Sequence, residues 1–279
     1  MRIAVLGQGM MGSAIGAQLR KGGAEVLTPL EGRSEASRAR AQDAGMNPAT
    51  LPEAGRCDMI LSIVPPDAAV EVCRSILPHV AQSTLFVDCN AIHPDEARRI
   101  GALVEQAGAH FADGAILGGP PSADATRLPL FYLAGDGRYE AARLGDFGLR
   151  VELLDSPAGS ASALKMALAG ISKGMTGLLA QMTMLAQAEG LQQPFLAQLR
   201  RSQPGLVAWG EAQFPQLRDK AGRWSKEMEI LADMASVVPG AHAIFEGLGE
   251  LFSQSAAERP PATSAVLATA IAPPRGHAP

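Results

Sequence analysis

The chain opens on an unbroken apolar run, Ile3-Ala4-Val5-Leu6, which gives way at once to Gly7, Gly9 and Gly12. A short apolar run bounded by glycines predicts a strand buried on both faces. Ala14-Ile15-Gly16-Ala17-Gln18-Leu19 then takes up a helical spacing. Ala24 to Thr28 reads as a second strand, followed by a turn over Pro29 to Ser34. Segments rich in Ala and Arg continue as helix through Ala44, with Gly45 as the stop. Further strands are predicted at Asp58–Val64, Thr84–Asp88, Ala109–Asp113 and Leu130–Gly135. Pro65-Pro66 ends the first of these, because proline cannot continue a ladder. Helices over Ala68–Leu77 and from His93-Pro94-Asp95-Glu96 separate them. Strands alternating with helices describe a parallel α/β sheet.

The period changes near residue 155. Asp155-Ser156-Pro157-Ala158-Gly159 is a turn-like junction, and beyond it the pattern is helical. Ser160 to about Glu189 predicts one long helix, and Gln192 to Leu251 several shorter ones. Past Ala256 the chain is rich in Pro and Ala, a composition that predicts a loosely ordered tail. The expected architecture is an N-terminal doubly wound parallel sheet of Rossmann type over residues 1–155. An all-α domain over 156–255 and a tail over 256–279 follow it.

Composition narrows the class. Of 279 residues, 47% are apolar and 19% charged, as expected of a globular protein. The balance of 24 basic against 28 acidic residues, net −4, argues against a nucleic-acid partner. Cys57, Cys73 and Cys89 form an odd set without metal-ligand spacing, which suits small buried residues in a reducing compartment. No signal peptide is evident, so the cytoplasm is the expected location. The most apolar later stretch, Ala163–Ala188, is interrupted by Lys165, Lys173 and several hydroxyl and amide side chains. That fits a globular helix better than a membrane span.

The glycines point to chemistry. In a strand–Gly-x-Gly-x-x-Gly–helix arrangement, the first glycine (Gly7) allows the tight turn and the second (Gly9) admits a pyrophosphate to the backbone. The third, Gly12, lets the helix sit close to its strand. The helix start then offers N–H groups and a positive dipole end to the anion, with Gln8, Met10 and Met11 completing the loop. Beyond the second strand, Glu31 stands near the distance at which an acid binds ribose hydroxyls, whereas Arg33, Ser34 and Arg38 suit a 2′-phosphate. These residues leave NAD and NADP both open.

In such a sheet the strand ends face the cofactor crevice. They carry Val64-Pro65, Asp88-Cys89-Asn90 and Asp113 to Gly119. The Asn90 amide could orient nicotinamide or substrate, or Asn90 could be a turn former. Gly118-Gly119 could admit a ligand to the backbone or form a rigid loop. Lys165 stands one turn into the long helix among apolar neighbours. A desolvated lysine in a cleft can exchange protons near neutrality, and a surface lysine can lie along Leu164 and Met166.

The glycine fingerprint, the Val64-Pro65-Pro66 strand end, the Asp113–Gly119 segment and the Gly159-to-Lys165 spacing together resemble the beta-hydroxyacid dehydrogenases. That superfamily includes 3-hydroxyisobutyrate and 6-phosphogluconate dehydrogenases. Leu164-Lys165-Met166, Ile171-Ser172-Lys173-Gly174 and Arg223 to Met228 resemble its branch with a distinct phosphogluconate-dehydrogenase-like C-terminal domain. The resemblance covers about residues 1–255. It implies an NAD(P)-dependent oxidoreductase for an alcohol/carbonyl pair, with NADP favoured over NAD by the arginine-containing turn at Arg33, and with Lys165 as the catalytic proton donor and acceptor. It also implies a homodimer built largely by the helical domain.

Two positions depart from the family pattern. Leu117 replaces a serine before the paired glycines Gly118-Gly119, and Ala169 replaces an asparagine one turn after Lys165. Both changes remove polar contacts to a small hydroxy acid, so a bulkier or less polar carbonyl is the expected substrate. Lys173 could hold an acidic group of the substrate or belong to the helix surface. Trp224 could wall the substrate cleft or sit in the core. Imine reduction and a non-catalytic dinucleotide-binding protein are the alternatives.

Overall fold

A computed structural model of the chain describes residues 1–121 and 128–257. The chain folds as two compact units, Met1–Met166 and Ala167–Pro279.

The first unit is built on strands β1 (Arg2–Leu6), β2 (Glu25–Pro29), β3 (Asn47–Ala49), β4 (Met59–Ser62), β5 (Leu85–Asp88), β6 (His110–Leu117), β7 (Leu130–Ala134) and β8 (Arg150–Leu153). Helices α1 (Met10–Lys21), α2 (Glu35–Asp43), α3 (Leu51–Gly55), α4 (Ala69–Ile76), α5 (Pro94–Gln106) and α6 (Arg138–Ala141) connect them. The strands form one eight-stranded sheet in the order β3-β2-β1-β4-β5-β6-β7-β8. Alternate residues of each central strand feed opposite cores. Ile3, Val5, Met59, Leu61 and Val87 pack on one face, and Ala4, Leu6, Ile60 and Phe86 on the other. Burial on both faces explains why these strands read as continuous apolar runs.

The sheet is not wholly parallel. β6 pairs antiparallel with β7, Asp113 opposite Ala134 and Leu117 opposite Leu130. A parallel neighbour needs a crossover, usually helical. The intervening sequence, Gly118-Gly119-Pro120-Pro121 onward, carries glycine and proline instead of a helical repeat. β3 and β8 lie at the two edges and escape the sequence pattern because they are short and mostly exposed. An edge also tolerates Pro48 in β3.

Helix α7 (Ser160–Ala188) starts within the first unit, and most of its length belongs to the second. There it is joined by α8 (Gln192–Ser202), α9 (Pro204–Met234) and α10 (Ala241–Ala257). Instead of several short helices, α9 runs for 31 residues through Pro215. Burial of Phe214 and Leu217 on either side of that exposed proline outweighs its missing N–H. Glycines of α7 set its distance from α10: a Cβ at Gly177 would lie 2.5 Å from a Leu248 methyl. The expected Pro/Ala tail lies, from residue 258, outside the described residues.

Candidate functional site

The glycine loop is built by three different constraints. Gly7 has φ +102°, and a Cβ there would lie 2.2 Å from the Ile63 carbonyl oxygen. A Cβ on Gly12 would lie 2.0 Å from the Gly7 oxygen, so helix and strand meet backbone to backbone. Gly9 differs, because a Cβ there would meet nothing within 4 Å. Space is therefore open at the middle glycine. No side chain caps α1 at Gly9, and its first-turn N–H groups lack intrahelical partners. Met10 is exposed and Met11 packs against the core. An uncapped helix start beside an open glycine fits a dinucleotide pyrophosphate.

Gln8 is turned inward. Its Nε2 donates to Thr28 Oγ1 at 2.5 Å and to the Pro29 carbonyl at 3.0 Å, tying the loop to β2. Arg40, which no local spacing marks in the sequence, donates from Nε to the Gln8 carbonyl at 2.8 Å and from Nη2 to Ser37 Oγ at 3.1 Å. Its role depends on how α2 registers against the loop. The turn after β2 uses Gly32 at φ +67°. Ser34 caps α2 by accepting from the Ser37 N–H at 3.3 Å, and the Arg33 carbonyl accepts from Arg38 Nε at 3.1 Å. Glu31, Arg33 and Arg38 are all exposed.

Behind the glycine loop, the ends of β4, β5 and β6 are cross-linked by polar side chains. Asn90 Oδ1 accepts from the Val64 N–H at 2.7 Å, and its Nδ2 donates to Ser62 Oγ at 3.0 Å and Asp88 Oδ2 at 2.8 Å. Both amide hydrogens are thus engaged within the protein, and Asn90 fastens β4 to β5. Pro65 follows Val64 and opens a short 3-10 turn. Asp88 is fully buried and stands opposite Asp113 in the β5–β6 register. Burial pushes the Asp88 carboxyl up to about 7, with Asp113 adding to the shift and Asn90 and Lys165 opposing it. The spacing of the sequence does not mark Asp88 or Ser62; their signal is that polar residues end otherwise apolar strands.

Lys165 reaches this point from α7. Its Nζ donates to the Cys89 carbonyl at 3.3 Å, at the C-terminal end of β5. β1, β4 and β5 are parallel, so Gly7, Val64 and Cys89 leave the sheet on the same side. Lys165 and the glycine loop therefore share one edge of the sheet. The cysteines offer no competing nucleophile: all three are free and buried, and burial raises Cys57 to about 11, Cys73 to about 12 and Cys89 further.

The remaining predicted substrate residues are divided between the two units. Leu117 is the last, half-buried residue of β6, Gly118 has φ +110°, and Gly119 faces open space. Ala169, Lys173 and Trp224 belong to the second unit. Ala169 is buried. Lys173 is committed to an ion pair with buried Glu227 at 2.5 Å, and Arg223 stands 3.5 Å from the same carboxylate. Trp224 is 4% exposed and meets Phe252 edge-on, with centroids 5.4 Å apart. It packs in the core of the second unit, one of the two places its sequence position left open.

Residues 2–143, just over half of the chain, match the family described as the NAD binding domain of 6-phosphogluconate dehydrogenase. The chain belongs to that family. Within the 6-phosphogluconate and 3-hydroxyacid dehydrogenase superfamily, it is an NAD(P)-dependent dehydrogenase or reductase of the hydroxyacid-dehydrogenase type. Residues 186–255 match a second family, described as a domain of unknown function, DUF1932. An uncharacterized 28.5 kDa protein of Methanothermus fervidus is 27% identical over 68% of this chain and 73% of its own length. Among solved structures, the conserved protein MTH1747, of unknown function and described as similar to 3-hydroxyacid dehydrogenases, superposes with a TM-score of 0.73. It is 26% identical, over 91% of this chain and 97% of that one. 3-Hydroxyisobutyrate dehydrogenase of Mycobacterium tuberculosis shares the fold at a TM-score of 0.74 and 21% identity, over 96% and 98% of the two chains. Among the described residues, this family member has no helix long and apolar enough to cross a membrane.

Proposed function

We propose that this protein reduces a carbonyl compound, or oxidises the matching alcohol, with NADP as hydride carrier and Lys165 as the group that moves the proton. The observation that carries the reading is the Lys165 Nζ held at the Cys89 carbonyl, on the sheet edge where the glycine loop opens. Bound nicotinamide would supply or accept the hydride. Lys165 would give a proton to the nascent alkoxide during reduction and withdraw one during oxidation. Gly7, Gly9, Gly12 and the first turn of α1 would hold the pyrophosphate. Preference for NADP is supported by exposed Arg33 and Arg38 with Arg40 beside them, on the turn and helix after β2.

The substrate class is a carbonyl less polar than a small hydroxy acid. Leu117 and Ala169 support this, since neither offers a hydrogen bond to a carboxylate. Lys165→Ala is expected to abolish NADPH oxidation with aldehydes, ketones and keto acids, and NADP reduction with 3-hydroxyisobutyrate, while NADPH binding by calorimetry persists. Unchanged turnover sinks the assignment. Turnover confined to cyclic imines favours the imine-reductase reading, and NADH binding as tight as NADPH overturns the cofactor preference.

The helical unit is proposed to carry a homodimer contact. Leu168, Ile171, Met175, Leu178, Met182 and Leu185 are all exposed on α7. They recur every three and four residues, the spacing of a helix-pairing seam, so a second copy of α7 is a matching partner. Ile171→Glu with Leu178→Glu should convert a dimer to a monomer in light scattering, and an unchanged mass contradicts the contact. Three free buried thiols support a reducing compartment, for which the cytoplasm is proposed.

A further inference from the structure

Helix α7 carries Lys165, yet its own sequence cannot cap its start. Gly159 accepts the first helical bond, from the Ala163 N–H at 2.9 Å, and so occupies the cap position. The residue there must be glycine: φ is +90°, and a Cβ would lie 2.9 Å from both the Pro94 carbonyl and Arg98 Nε. Glycine has no side-chain oxygen to accept the first-turn N–H groups. The acceptor comes instead from β6. Asp113 Oδ2 accepts from the Ala161 N–H at 2.9 Å and the Ser162 N–H at 3.1 Å, and Oδ1 accepts from Ser162 Oγ at 2.6 Å. The Gly159 N–H adds to these.

We propose that Asp113 is a positioning residue for Lys165, clamping the root of the lysine's helix to the same strand ends that receive the lysine's tip. Lys165 lies three residues beyond Ser162, on the neighbouring position of the next turn. The root is fixed through Asp113 on β6 and the tip through the Cys89 carbonyl on β5, and Asp88 and Asp113 face each other across those two strands. With both ends tied to adjacent strands, a long flexible side chain has one direction in which to point. The charged groups around the turn are Asp88 from β5, Asp113 from β6, and Arg98 of α5, which pairs with Asp95. Asp113 is fully buried within this arrangement, and burial holds its carboxyl above the ordinary value.

The catalytic consequence rests on Lys165 being the proton donor, but the clamp can be tested without any substrate. The full-length protein has five lysines, Lys21, Lys165, Lys173, Lys220 and Lys226. Dimethylation with 13C-formaldehyde therefore gives few resonances, and Lys165 is assigned by its loss in Lys165→Ala. In Asp113→Ala the Lys165 resonance is expected to shift, because the first turn of its helix has lost the acceptor that ties it to β6. Asp113→Asn, which keeps an acceptor oxygen, should restore the resonance position in part. Ser162→Ala removes one hydroxyl and keeps the carboxylate. It should move the same resonance less, and it serves if Asp113→Ala fails to fold. A Lys165 resonance identical to wild type in folded Asp113→Ala, or in Ser162→Ala should that fold alone, overturns the clamp. Turnover reads the other question separately: Asp113→Ala should lower kcat, and Ser162→Ala should lower it less, while NADPH binding by calorimetry persists.

Discussion

Replacing Asp88 with asparagine is expected to flatten the dependence of stability on pH. Asp88 is fully buried, and burial with the nearby Asp113 raises its carboxyl from 3.8 to about 7 in the folded chain. Between those values the native state holds a proton that the unfolded chain releases. Stability from this group is therefore fully present below pH 3.8 and is lost as pH rises toward 7. The limiting loss is about 4 kcal/mol, and roughly 3 kcal/mol of it falls between pH 5 and pH 8. Asparagine cannot ionise, so the variant should lack that loss.

The substitution has its own cost at every pH. An amide at position 88 keeps one acceptor oxygen and sets its NH2 against one of the two Asn90 donors, the Nδ2 or the backbone N–H, that now go to different Asp88 oxygens. That conflict costs about 1–3 kcal/mol. The pH dependence is diagnostic for this reason, and the stability at one pH is not. Urea unfolding at pH 5, 6, 7 and 8, followed by circular dichroism because both tryptophans lie in the second unit, gives the difference between the two proteins at each pH. Groups that do not interact with Asp88 contribute equally to both proteins and cancel, while Asp113, opposite it, releases its own proton more easily once position 88 carries no charge. The difference should move in favour of Asp88→Asn by about 3 kcal/mol from pH 5 to pH 8. A difference constant within about 0.5 kcal/mol, the scatter of non-interacting changes, refutes the assignment of a buried proton to Asp88.

Gly9→Ala and Gly12→Ala should separate cofactor binding from folding. The first adds a methyl where nothing lies within 4 Å and is expected to weaken NADPH binding with the melting temperature intact. The second drives a Cβ to 2.0 Å from the Gly7 oxygen and should lower both, as calorimetry and thermal melts would show. Trp224→Ala is expected to destabilise by about 3–5 kcal/mol in urea, as truncation of a core aromatic does, whereas a residue on an open cleft wall would cost far less. Glu227→Gln strips Lys173 of its partner inside the second unit and should cost about 3 kcal/mol, while Lys173→Met with Glu227→Leu should recover most of it.

The sheet was legible wherever strands are buried on both faces, because Ile3–Leu6 and Met59–Ser62 leave no polar position to confuse the period. β3 and β8 were not legible. Edge strands are stabilised by pairing with a neighbour more than by their own apolar pattern, and Asn47-Pro48-Ala49 has no such pattern to read. Helix α7 was predicted almost to the residue, since its whole length is one apolar repeat between two glycines, Gly159 and Gly190. Pro215 lies inside α9, which the sequence pattern divides into shorter helices. A local rule for proline breaks a helix there, while packing of Phe214 and Leu217 keeps it whole.

The candidate site divides along the same physical line. Glycines announce themselves because backbone geometry is a local demand: Gly7 needs its positive φ, and Gly12 needs the absence of a Cβ, whatever else the chain does. The side chains that hold the site act across sequence separations that no spacing reveals. Arg40 meets Gln8 over 32 residues, Asn90 meets Val64 over 26, and Asp113 meets Ala161 over 48. What the sequence does show is where such partners are required. Gly159 ends a turn with φ +90° and starts a helix without a capping side chain, so an acceptor must arrive from elsewhere. A buried acid at the end of an apolar strand, as at Asp113, is the residue type able to meet that need. Pairing unmet backbone donors with unexplained buried acceptors is thus a route from sequence to the positioning residues that motif spacing misses.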